Sequence, residues 1–344
     1  MNRTEPEGLD PFDQIAPSLG SATISLVNVE MAISDRGSPV PGKMFTFRAP
    51  PSAAETIASA GVDVVTLANN HARDYGPNAL LDTISLLSDR GVVVIGAGEN
   101  DKDAFTPRTI RLDNNIDVAF IGAALVVPGG FAASPSRVGI ADGNDRNRVI
   151  ANVRVAAEKF DVVVVTLHWG TERATCPSPT HVTFAKQLLD AGATAVIGHH
   201  PHVLQPIAFA EGKVAVYSLG NFIWHPRNTI TADTGVVELK FEETELVDVI
   251  FHPHSLDPNG APAPVSEGFR YERIVDIVGG DCAKHQPPPT AAPTTAAPTS
   301  TTTPVESTTT TAAAGGTTTT AATTTTAATP TTTTTTAATT TTSE

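Results

Sequence analysis

Ala195-Val-Ile-Gly-His-His-Pro-His-Val-Leu-Gln205 is an apolar run that stops abruptly in three histidines and a proline. A short buried strand of this kind delivers imidazoles to the rim of a sheet, where His200 and His202 can face one centre. Three other stretches repeat the pattern. Val62-Asp-Val-Val-Thr-Leu67 runs into Ala-Asn-Asn-His71, Asp161-Val-Val-Val-Val-Thr-Leu167 runs into His-Trp-Gly170, and Val214-Ala-Val-Tyr-Ser-Leu219 runs into Gly-Asn-Phe222. Thr23-Ile-Ser-Leu-Val-Asn-Val-Glu30 adds a carboxylate in the same way. Open α/β sheets bind ligands outside the carboxyl ends of their strands, so these endings predict one shared site.

The donors at those ends suit a particular chemistry. Neutral imidazoles, carboxylates and amide carbonyls ligate zinc, manganese or iron in hydrolytic sites. Glu30, Asn70, His168, His200 and His202 make up that mixture. Two divalent ions about 3.5 to 4 Å apart in such a set activate a water and hold both oxygens of a phosphate ester during displacement. His71, next to Asn70, is then placed to protonate the leaving group. Each residue also has a structural reading: a strand-end histidine as a hydrogen-bonded support, Asn69 and Asn70 as turn closers, Asp74-Tyr-Gly76 as a helix start, Trp169 as core. Convergence of several independent strand ends favours the metal. Other chemistries fit less well. Ser218 lacks the Gly-x-Ser-x-Gly elbow, no Gly-x-x-x-x-Gly-Lys loop is present, and Gly96-Ala-Gly98 lacks a third fingerprint glycine.

The positioning elements follow from periodicity and punctuation. Ser52-Ala-Ala-Glu55 predicts a capping-box helix that Gly61 ends, and Pro77 opens a helix carrying Leu80, Leu81, Ile84 and Leu87 as far as Gly91. Val92–Ile95 and Val118–Ile121 read as short strands. Val149, Val153, Ala156 and Ala157 mark a helix, and Ser178-Pro179 opens another with Phe184, Leu188 and Leu189 that Gly192 closes. This alternation means a largely parallel sheet with helices outside. Gly235–Phe241 and Leu246–Phe251 read instead as an antiparallel hairpin, hence a second sheet.

From about Gln286 the chain is Pro, Thr and Ala with almost no charge, so 286–344 is expected to be a disordered tail and 1–285 the folded domain. Thr-rich tracts of this kind read as surface stalks, which argues for an extracytoplasmic, cell-surface or cell-wall location. A net charge of −14 without a basic stripe argues against nucleic acid. Cys176 and Cys282 read as two unpaired thiols, with one bridge between them the alternative in an oxidising compartment.

Asn28-Val-Glu30, Leu67-Ala-Asn-Asn-His-Ala-Arg-Asp-Tyr-Gly76, Leu167-His-Trp-Gly-Thr-Glu172, Ile197-Gly-His-His-Pro-His-Val-Leu-Gln205 and Tyr217-Ser-Leu-Gly-Asn-Phe222 together resemble the CapA family of capsule-synthesis proteins. The likeness runs from about Asp10 to Phe251. It implies a four-layer α/β/β/α sandwich like that of calcineurin-type metallophosphoesterases, and a role in poly-γ-glutamate synthesis or export. The partners implied are an anionic polymer or phosphoester substrate and capsule-synthesis membrane proteins. By the same resemblance Glu30 takes the place of a bridging carboxylate. Asn70 with His71 matches an Asn-His pair, His168 is the next ligand, and His200 with His202 matches a closing His-x-His. Asn69, Trp169, Glu172 and Asn221 are expected around the substrate. Family members usually begin with a strand ending in Gly-Asp, which nothing before Glu30 matches, so the sandwich is expected to lack its first strand. Two readings of the activity stay open: a metal-dependent hydrolase, and a non-catalytic accessory or polymer-binding protein.

Overall fold

Val162-Val-Val-Val-Val-Thr-Leu-His168 shows how the layers arise. Val163, Val165 and Leu167 enter one buried cluster, whereas Val162 and Val164 enter another. A strand buried on both faces needs no polar alternation, which is why it reads as a continuous apolar run. The computed structural model describes residues 11–226 and 228–286, so the expected tail lies outside the described residues apart from Gln286.

A small sheet is made of β1 (Leu26–Asn28), β2 (Val64–Thr66) and β3 (Val93–Ile95), all parallel, in the order β1-β2-β3. Among the described residues β1 is paired on one side only. Helices α1 (Ala53–Ser59) and α2 (Pro77–Ser88) cover its outer face, where Ile57, Val65, Leu80 and Leu87 pack together. A large sheet contains β4 (Arg108–Arg111), β5 (Asp117–Ala124), β6 (Val162–His168), β7 (Ala195–His199), β8 (Ile207–Ala210) and β9 (Lys213–Val216). Its order is β8-β9-β7-β6-β5-β4, with parallel central strands and antiparallel edges. Helices α3 (Arg146–Ala157) and α4 (Pro179–Asp190) lie on its outer face through Val149, Val153, Phe184 and Leu188. Between the sheets Val64 and Ile95 meet Val118, Phe120, Val164 and Ile197. Three apolar clusters thus separate four layers, α/β/β/α, as expected. Each fully buried Val, Leu or Phe contributes about 1.5–3 kcal/mol.

The expected hairpin is present and longer, as β10 (Asp233–Glu242) and β11 (Glu245–Leu256), joined by β12 (Pro262–Pro264). An unanticipated helix, α5 (Gly268–Val278), anchors this sheet. Arg273 donates two hydrogen bonds to buried Asp233, at 2.7 and 2.8 Å.

Two expectations are corrected. Ser52 already has helical dihedrals (φ −62°, ψ −22°), so its hydroxyl forms no cap, and Glu55 instead accepts from Arg90 at 2.8 Å. Helix α1 begins through a Pro50 carbonyl that accepts from Ala53 N. The cysteines are not free thiols: Cys176 and Cys282 form a disulfide, with Cα atoms 5.4 Å apart. A separation of 106 residues hides that proximity, which exists because the turn after α5 folds back onto the loop after β6. Thr175 Oγ1 donates to the Cys282 carbonyl at 2.9 Å alongside the bridge.

Candidate metal centre

Within each sheet the parallel registers align the strand ends, Asn28 of β1 with Thr66 of β2 and His168 of β6 with His199 of β7, and the two sheets face each other across a shared apolar layer. The residues just past those ends therefore converge. His168 Nε2 lies 2.8 Å from Asn70 Oδ1, 3.1 Å from His200 Nδ1 and 3.5 Å from Glu30 Oε1. His202 Nε2 is 3.8 Å from the same Glu30 oxygen. All five expected ligands thus meet.

Backbone conformation makes this convergence possible. His200 and His202 both have positive φ, 98° and 57°, around Pro201. Such strain in non-glycine residues costs about 1–3 kcal/mol each and concentrates at functional sites. At Gly198 an added Cβ would lie 2.0 Å from the Tyr217 carbonyl oxygen and 2.4 Å from Trp169 Nε1. Only glycine therefore lets the Trp169 indole reach that carbonyl, to which it donates at 3.0 Å.

Electrostatics favour a cation here. Glu30 Oε1 is buried and has no hydrogen-bond partner among the described residues, whereas Oε2 accepts from Asn28 Nδ2 at 3.1 Å. An unpartnered buried carboxylate oxygen is costly, and a cation relieves it. Burial raises the Glu30 pKa against the lowering influence of His202, His71 and Asn28. Burial, reinforced by the neighbouring histidines, holds His168 well below its usual range. The same causes bring His200 to about 4. Neutral rings with free lone pairs are the ligating form. The donor set and the orphaned oxygen fit a divalent ion.

His71 sits beside this cluster, 7% exposed. Its Nδ1 lies 2.6 Å from Asp74 Oδ2 and 3.1 Å from Lys43 Nζ, and its ring packs 4.2 Å from that of Phe47. Lys43 also donates to Asp74 Oδ1 and, at 2.6 Å, to the Asn70 carbonyl. Asp74 is fully buried and accepts the Phe47 N–H at 2.7 Å as well. Sequence reasoning left Asp74 as a helix start and missed Lys43 and Phe47. The three-residue spacing from His71 to Asp74 is the one available signal, since Lys43 arrives from a distant loop.

The four expected substrate residues separate. Glu172 is exposed and lines the cleft. Asn69 is fully buried, donates to Asn28 Oδ1 and the Val29 carbonyl, and accepts from His71 N, so it braces the turn. Trp169 is 1% exposed on the outer face of the large sheet, because period-two alternation turns it away from His168. Asn221 places its Oδ1 2.8 Å from His202 Nδ1 and donates to the Thr231 carbonyl at 3.0 Å, so it orients a ring. The cleft, about 2000 Å³, extends from Glu30, His71, His199, His200 and His202 along the side of β1 that is unpaired among the described residues.

The family model described as bacterial capsule synthesis protein PGA_cap matches residues 3–226. The capsule biosynthesis protein CapA of Bacillus anthracis is 33% identical over 236 residues, 67% of this chain and 56% of that protein. The PGA biosynthesis protein CapA of Bacillus subtilis is 33% identical over 209 residues, 59% and 53% of the two chains. A probable polyglutamine synthesis accessory protein of Mycobacterium tuberculosis is 29% identical over 212 residues, 58% and 55% of the two. The chain thus spans about half the length of the curated relatives it matches. Among solved structures, a putative 5′-nucleotidase from Staphylococcus aureus aligns with 78% of this chain and 50% of its own, at 16% identity and a TM-score of 0.47.

Proposed function

The chain belongs to the bacterial capsule synthesis family PGA_cap, and on that premise we propose that it acts in capsule or poly-γ-glutamate biosynthesis or export as a metal-dependent, phosphoesterase-like hydrolase. The observation that carries the hydrolytic part is Glu30 Oε1, buried and unpartnered among His168, His202 and Asn70. Glu30, Asn70, His168 and His200, with His202 alongside, would hold the metal. A divalent ion bound there would supply Lewis acidity to a phosphoryl oxygen and lower the pKa of water. The protein's own part is positioning and proton transfer. Asp74 engages His71 Nδ1 and fixes the ring, which leaves Nε2 to give a proton to the leaving group. Phe47 and the Lys43–Asp74 pair keep the imidazole from rotating.

The disulfide supports an oxidising, extracytoplasmic setting. No helix among the described residues is long and apolar enough to cross a membrane. An anionic polymer meets a protein of net charge −14, so attraction would rest on bound cation and local Lys and Arg side chains. One observation favours the accessory reading: among the described residues Glu30 is the one carboxylate in the cluster with His168 and His200. A weakly charged set is as suited to holding a polymer's carboxylates through a metal as to catalysis.

Hydrolysis of a generic aryl phosphodiester by Mn²⁺-loaded protein separates the two. Turnover that disappears in His71→Ala with metal content retained supports the hydrolase. Metal bound without turnover supports the accessory reading, and an absence of bound transition metal overturns both.

A further inference from the structure

We propose that the Cys176–Cys282 disulfide is a positioning element of the candidate metal centre, bracing the loop that holds the turn from His200 through Pro201 to His202 in its ligating shape. The inference rests on the metal reading above. His200 and His202 both have left-handed backbones, φ 98° and 57°. Residues other than glycine keep such conformations only where their surroundings over-determine them. Asn221 restrains one side of the turn, through His202 Nδ1 at 2.8 Å and the His202 carbonyl at 3.3 Å. Further restraint comes from the loop after β6.

That loop grips both ends of 201–205. Arg173 N donates to the Pro201 carbonyl, between the two histidines, at 2.7 Å. The Ala174 carbonyl accepts from the buried Gln205 side chain, also at 2.7 Å. Contact is close: a Cβ at Gly170 would lie 3.2 Å from Pro201 Cγ. Residues 169–178 form no helix or strand, so the loop's position depends on what ties it down. The ties begin one residue beyond Ala174. Thr175 N donates to Gln286 Oε1 at 3.0 Å, Thr175 Oγ1 donates to the Cys282 carbonyl at 2.9 Å, and Cys176 is bonded to Cys282. Leu204, 1% exposed and two residues past His202, shares an apolar cluster with Cys282, Ile274 and Ile277. The covalent link therefore sits where α5, the loop and the ligand turn come together. Loss of an outer support of a ligand costs roughly 10–100-fold in metal affinity.

The test compares metal affinity in full chains that fold. Free Mn²⁺ read by electron paramagnetic resonance is expected to show binding at least about tenfold weaker in Cys176→Ser/Cys282→Ser than in the wild type, with a shifted cobalt(II) absorption spectrum. Val149→Ala, which loosens packing under α3, controls for stability alone and is expected to bind Mn²⁺ as the wild type does. Gln205→Met cuts one tie with the bridge intact and is expected to weaken binding less than the serine pair; it decides the matter if that pair does not fold. A folded serine pair with wild-type affinity and cobalt spectrum, or unchanged affinity in Gln205→Met where the pair does not fold, would overturn the inference and leave the metal reading standing. A wild-type chain that binds no metal would overturn both.

Discussion

The small and large sheets meet at the candidate metal centre but hold their contributions differently. His168 ends a seven-residue strand that is paired along its whole length with β5, from Val164 onward with β7, and is buried on both faces. Glu30 follows a three-residue strand that has one neighbour among the described residues and whose own residues are only half-buried. The imidazoles are therefore fixed by the fold, whereas the carboxylate depends on local supports, chiefly Asn28 and Asn69. Ligand placement and fold stability are one property on the large-sheet side and two separable ones on the small-sheet side.

The strongest way to break this contrast is to remove a ligand from each side. His168→Ala and Glu30→Gln are both expected to weaken metal binding by more than the roughly 10–100-fold typical of outer supports. Their effects on the metal-free fold should oppose each other. Glu30→Gln removes an unpartnered buried charge and is expected to raise the melting temperature in chelator, whereas His168→Ala opens a cavity and lowers it. Equal destabilisation by both would refute the contrast.

Packing gives a second comparison. Leu167→Ala, fully buried on β6, is expected to cost about 2–5 kcal/mol in denaturant unfolding, and Leu26→Ala on β1 less than about 1.5 kcal/mol. Acid should also act through the large sheet. His200 titrates near pH 4 in the fold against about 6.5 when unfolded, so below pH 6.5 the unfolded chain binds a proton that the folded ring refuses. Metal-free stability present above pH 6.5 is therefore lost as pH falls towards 4, by about 3 kcal/mol for this ring. Urea midpoints at pH 7 and 4.5 check this, with a shallower slope expected in His200→Gln. The smallest effect sharpens the other side. Asn28→Ala frees Glu30 Oε2 and is expected to lower metal affinity about tenfold while folding changes by under about 1 kcal/mol.

The central strands, four covering helices and the convergence of Glu30, Asn70, His168, His200 and His202 were legible because each rests on a local rule: an apolar run, then a polar stop. Edge strands β4 and β8 were not, since half-exposed sequences carry a weaker pattern. Trp169 shows a readable rule left unused, for its parity with Leu167 and Val165 already places it opposite His168. His200 shows the limit of such rules. Strict alternation would turn it away from His168, and its left-handed backbone brings it back. Lys43 and the disulfide lay beyond local pattern altogether, because both depend on how remote loops stack.

The Cys176–Cys282 bridge also has a mechanical meaning. Gln286 lies four residues past Cys282, so tension applied from that end reaches the cross-link before it can peel away α5. The load then passes into the loop that follows β6, a strand held by a parallel neighbour on each side. A domain tethered and tugged by that end would stretch last where its histidines sit.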